Sequence, residues 1–141
     1  MAAPEQLAEH RFPASSEQLQ SVRQLVRDVL QSQGCSGEFV DMTVLAVDEA
    51  TSNIIRHAYG DDDIGDIILQ ILRQGQTLIF RLIDNAPPVD ISTVKSRDLE
   101  SVRPGGLGVY LIDQIMDTMS FEKPPDGSGN MLVMTRKLDC N

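Results

Sequence analysis

The stretch Val47-Asp48-Glu49-Ala50-Thr51-Ser52-Asn53-Ile54-Ile55-Arg56-His57-Ala58-Tyr59-Gly60 decides how this chain reads. Apolar residues at Phe39, Met42, Leu45, Ala46, Ala50, Ile54 and Ala58 recur at helical spacing. Ser36-Gly37-Glu38 offers a start, so a long helix is predicted over about residues 38–59. A spacing of four then puts Glu49 and Asn53 on one face, roughly 5–6 Å apart at Cβ. Ala46, Ala50, Ile54 and Ala58 make that side apolar, so the pair is expected in or beside a partly buried region, where polar groups need partners. A carboxylate can orient or deprotonate an attacking hydroxyl. An amide oxygen suits Mg²⁺, a hard cation.

Two further stretches follow in order. Asp84 ends a strand and leads Asn85-Ala86-Pro87-Pro88. Its functional reading is an acceptor for the amino group of a base such as adenine; its plain reading is a turn or capping acid. Arg103-Pro104-Gly105-Gly106-Leu107-Gly108 runs into a helix, where backbone N–H groups can meet phosphates and Arg103 adds positive charge. The plain reading is a hinge. It is not a Walker A loop, because no Gly-Lys-Ser/Thr follows. His57 is read as structural and Asp90 as a turn acid. With His10 far away and no cysteine cluster, neither zinc nor a Ser-His-Asp triad has support.

The remaining elements are set by simple patterns. His10-Arg11-Phe12-Pro13 reads as a short strand stopped by proline. Leu19, Val22, Leu25, Val26, Val29 and Leu30 define an amphipathic helix, capped near Ser15-Ser16 and closed at Gly34. Ile64 to Arg73 and Thr77 to Asp84 alternate as a hairpin around Gln74-Gly75-Gln76. A long loop from Asp84 to Gly106 has the length of a functional or disordered segment. A helix over Leu107 to Met119, then strands over Ser120-Phe121-Glu122 and Asn130 to Lys137, complete the order. Helices and hairpins are segregated, which predicts an α/β two-layer sandwich with a mostly antiparallel mixed sheet. Repeated βα alternation, which a doubly wound sheet needs, is missing.

Composition bounds the rest. One domain over residues 1–141 is expected, with 41% hydrophobic residues, no Trp and an aliphatic core. A formal net charge of −9 argues against a nucleic-acid binder and fits a protein that meets other proteins. Cys35 and Cys140 give neither a disulfide framework nor a zinc pattern, so free thiols in a reducing cytoplasm are expected. No signal peptide is expected, and no apolar run approaches the ~20 residues of a membrane span.

Taken together, these motifs resemble the GHKL (histidine kinase-like) ATPase superfamily, with its Bergerat fold, and most closely its branch of anti-sigma factor serine/threonine-protein kinases. The resemblance spans about His10 to Lys137. Glu49 to Tyr59 resembles the branch's N box, Asp84 to Asp90 its adenine-reading box, and Arg103 to Val109 its glycine box. Gly129 to Lys137, including Thr135, resembles its closing strand. The resemblance implies Glu49 as general base and Asn53 as the Mg²⁺ ligand. It implies Asn53, Asp84, Ala86, Arg103, Gly105, Gly106, Gly108 and Thr135 as ATP-binding residues. It further implies a small anti-sigma factor antagonist as phosphorylated partner, a sequestered sigma factor, and a homodimer. Pro88 and Asp90 agree with the branch. Val89 stands where it has Phe, and Ala86 where it has glycine, which can take φ > 0 or let a ligand approach closely. Ala86 favours an alternative reading, a partner-binding module on the same fold with weak or no ATP binding.

Overall fold

The structure is a computed structural model and describes residues 3–56, 65–85, 110–124 and 129–139. The chain runs β1 (Glu5–Pro13), a 3-10 turn (Ser16–Gln18), α1 (Leu19–Ser32), α2 (Gly37–Ile54), β2 (Asp66–Gln74), β3 (Thr77–Asp84), β4 (Thr118–Glu122) and β5 (Asn130–Lys137). Residues 110–115 are helical. The strands form one sheet in the order β1-β2-β3-β5-β4. All four pairings are antiparallel, so the expected mixed sheet has no parallel pair among the described residues.

Local chemistry accounts for the element ends. Ser15 caps the 3-10 turn by accepting from the Glu17 amide. After α1, Gly34 takes φ +88, the Cys35 amide donates to Leu30 O and the Gly34 amide to Gln31 O. Those two bonds make a Schellman stop. Gly75, at φ +61, supplies the left-handed residue that the two-residue β2–β3 loop requires.

Pleat alternation builds the core. Ile67, Leu69 and Ile71 of β2, Leu78, Phe80 and Leu82 of β3, Leu132 and Met134 of β5, and Phe12 of β1 join one buried cluster. Val22, Val26, Val29 and Leu30 of α1, Val40, Val44, Val47 and Ala50 of α2, and Ile112, Ile115 and Met116 cover that face. Leu72, Ile79 and Met131 are buried outside this cluster, on the opposite face of the sheet. Burying one such side chain contributes about 1.5–3 kcal/mol. Arg23–Asp48 at 2.8 Å and Arg27–Asp41 at 2.9 Å link α1 to α2, but such partly exposed pairs contribute about 0–1 kcal/mol each. Apolar packing therefore sets how the helices lie on the sheet.

Three expectations need correction. β1 begins at Glu5, well before His10. The late helix ends at Ile115, not Met119, because the Asp117 amide donates to Thr135 O and commits the chain to β4 from Thr118. Cys35 is disulfide-bonded and not a free thiol. Arg73 donates to Gln33 near the end of α1, and the Leu138 amide donates to Gln76 O. The β2–β3 turn thus meets both the Gln33–Cys35 corner and the chain after β5.

Candidate functional site

Glu49 and Asn53 lie on α2 and are both half-buried. At about 100° per residue, the buried positions Ala46, Ala50, Thr43, Val47, Val40, Thr51 and Val44 sweep one side of the helix. Asn53 and Glu49 fall about 20° and 60° beyond Ala46, on the rim of that stripe. Their partial burial follows from this position. Asp48 lies on another flank, spoken for by Arg23. Among the described residues, nothing hydrogen-bonds or ion-pairs with the Glu49 carboxylate. Asn53 Oδ1 accepts from Arg56 Nη2, one turn further on.

Asp84 is the last residue of β3 and, among the described residues, one of three buried polar ones, at 5% exposure. Alternation puts it on the helix-covered face with Leu82 and Phe80. Asn130 is its register partner on β5, and Asn130 Nδ2 donates to Asp84 Oδ1 at 2.9 Å. Burying a carboxylate is costly unless it is hydrogen-bonded, and this amide meets that need. Gly129 makes the approach possible. It holds φ +74, and a Cβ there would lie 1.9 Å from Asp84 O and 2.9 Å from Asn85 Cα. Only glycine fits under the Asp84–Asn85 peptide.

The clamp at the other end of these elements is Arg136. It pairs in register with Leu78 near the start of β3. Its Nη1 donates to Phe39 O at 3.1 Å and Thr43 Oγ1 at 2.6 Å, and its guanidinium lies 4.2 Å above the Phe39 ring. The first half of α2 is thereby tied to the start of β3. Burial lowers the Arg136 pKa, while Asp117, Asp139 and Glu38 raise it. Arginine's high intrinsic value keeps it charged.

Thr135 does not join Asp84. It pairs with Ile79, one step out of phase with Asp84, on the opposite face of the sheet, where its Oγ1 lies 2.5 Å from Thr118 Oγ1. Ala86, Arg103, Gly105, Gly106 and Gly108 lie outside the described residues. Sequence reading missed Asn130, Gly129 and Arg56. A glycine followed by an amide at the mouth of an alternating strand was the available signal, but only the β3–β5 register assigns the amide to Asp84.

The oxygen set fits a magnesium nucleotide. Asn53 offers an amide oxygen and Glu49 a carboxylate, both hard donors. No group of three or more His, Cys, Asp or Glu could hold a metal among the described residues. A magnesium ion here would therefore take much of its coordination from phosphates and water, as it prefers.

The histidine kinase-like ATPase domain family matches residues 12–136, from Phe12 on β1 to Arg136 on β5. The chain belongs to this family. As a histidine kinase-like ATPase domain it uses ATP, and the match encloses Glu49, Asn53, Asp84 and the glycines at 105, 106 and 108. This ATPase domain is similar to the serine-protein kinase RsbW of Staphylococcus aureus, with 28% identity over 148 residues, covering 97% of this chain and 92% of the relative. The RsbW of strain JH9 is 29% identical over 147 residues, covering 96% and 89%. Among solved structures, the RsbU and RsbW domains of Rv1364c from Mycobacterium tuberculosis give a TM-score of 0.64 at 16% identity, over 93% of this chain and 32% of that one. The SiaB–SiaC complex from Pseudomonas aeruginosa gives 0.63 at 16%, over 95% and 91%. The structural likenesses establish the α/β fold.

Proposed function

We propose that this ATPase domain is a serine/threonine-protein kinase that phosphorylates a small anti-sigma factor antagonist and, in the alternative partner state, sequesters a sigma factor. The observation that carries the reading is the buried Asp84 carboxylate, held by Asn130 at the end of β3. Lengths support a shared rim. From the Arg136 clamp, α2 climbs about 21 Å between Phe39 and Asn53, and β3 climbs about 20 Å between Leu78 and Asp84.

In this reading Asp84 accepts from the adenine amino group, and Asn130 keeps its carboxylate oriented. Asn53 holds Mg²⁺ by its amide oxygen. Glu49 orients the partner's hydroxyl and takes its proton. Ala86, Gly105, Gly106, Gly108 and Arg103 complete the nucleotide enclosure. Bound Mg·ATP supplies the phosphoryl group and much of the charge neutralisation, so the protein's work is positioning. The partners are proteins and not nucleic acid, as the charge of −9 favours. The assembly is a homodimer, and the compartment is the cytoplasm, where ATP is plentiful. No helix of the described residues is long and apolar enough to cross a membrane.

The test is transfer of label from γ-labelled ATP to a small antagonist protein from the same cell, with Mg²⁺. Labelled serine or threonine on that partner supports the kinase. ATP binding without transfer, or partner binding without ATP, supports the alternative, a partner-binding module, which Ala86 favours.

A further inference from the structure

The Asn53 amide oxygen is engaged by a cation of the chain itself. Arg56 Nη2 donates to Asn53 Oδ1. Arg56 is exposed and lies two residues past the end of α2, three residues beyond Asn53. The oxygen proposed to hold the metal therefore faces a permanent positive charge. A divalent ion about 2.1 Å from Oδ1 would sit within roughly 4–5 Å of that guanidinium. Two cations so close repel, and the arginine must leave for the metal to stay.

We infer that Arg56 is a positioning residue that makes Asn53 a site for a metal–phosphate pair and not for a bare divalent cation. This rests on the reading of Asn53 as the metal-holding amide. With no phosphate present, Arg56 keeps Oδ1 turned toward the site and excludes the lone metal. An ion that arrives with phosphate brings anionic oxygens that offer the guanidinium another partner. The arginine is exposed, so swinging away costs little burial, and the filter is modest in size.

The experiment uses the full chain without nucleotide and Mn²⁺ as paramagnetic probe, following broadening of the Asn53 side-chain amide by NMR. In Arg56→Ala the Mn²⁺ concentration for half-effect should fall about fivefold, as expected for losing one charge-assisted hydrogen bond and one nearby cation. Arg56→Gln, which keeps length without charge, should show a similar fall. Asn53→Ala should remove specific broadening around residue 53. An unchanged or raised Mn²⁺ requirement in both arginine variants overturns the inference. So does a wild type in which Mn²⁺ never reaches Asn53 while the arginine variants behave alike. ATP binding by the wild type, measured separately, decides the kinase reading and is not moved by this result.

Discussion

Asn130 reaches across the β3–β5 ladder to donate to the buried carboxylate of Asp84, its direct register partner, at 2.9 Å. The acid is thus fixed by a residue 46 positions away, and both sit where β3 ends and β5 begins.

Asn130→Ala should weaken ATP binding and stability together. Loss of the amide deprives a buried carboxylate of a hydrogen bond, at a cost of about 1–3 kcal/mol. Urea unfolding reads the stability loss and calorimetry the affinity loss. Wild-type values for both would remove Asn130 from the account.

Gly129→Ala should be more damaging than its size implies. The new Cβ meets Asp84 O at 1.9 Å, and φ +74 is strained for alanine. The expected destabilisation is about 2–4 kcal/mol, from overpacking plus backbone strain. Gly34→Ala makes the comparison, because nothing lies within 4 Å of its Cβ. Equal losses at the two glycines would argue against a close approach of backbone at Asp84.

Glu49→Ala should abolish phosphate transfer and spare ATP binding. Glu49 lies on the rim of α2, and among the described residues its carboxylate makes no hydrogen bond or ion pair that the fold would lose. A variant that transfers phosphate at the wild-type rate would end its role as base.

Ala86→Gly tests the departure from the family pattern. If alanine limits nucleotide approach, glycine should tighten ATP binding several-fold, about 1 kcal/mol, in line with the backbone cost of the exchange. No change in affinity would mean that Ala86 is accommodated.

Much of this was legible in the sequence because the signals are local. Apolar spacing fixed α1 and α2, alternation fixed β2 and β3, and Gly34 marked a stop that the Schellman bonds explain. Glu49 and Asn53 were legible for the same reason, as an i, i+4 pair on one helix. What was not legible depends on long-range partners. Thr135 looked suitable on a strand that resembles the family's, but the register with Ile79 turns it away from Asp84. Asn130 carries no mark of its role until Asp84 is opposite it. The true start of β4 comes from Thr135 O capturing the Asp117 amide.

The most direct measurement is calorimetric titration of the purified chain with ATP, with and without Mg²⁺, beside Asp84→Asn. The account predicts Mg²⁺-dependent binding at micromolar strength that Asp84→Asn removes. No binding at millimolar ATP, or equal binding by Asp84→Asn, would contradict it.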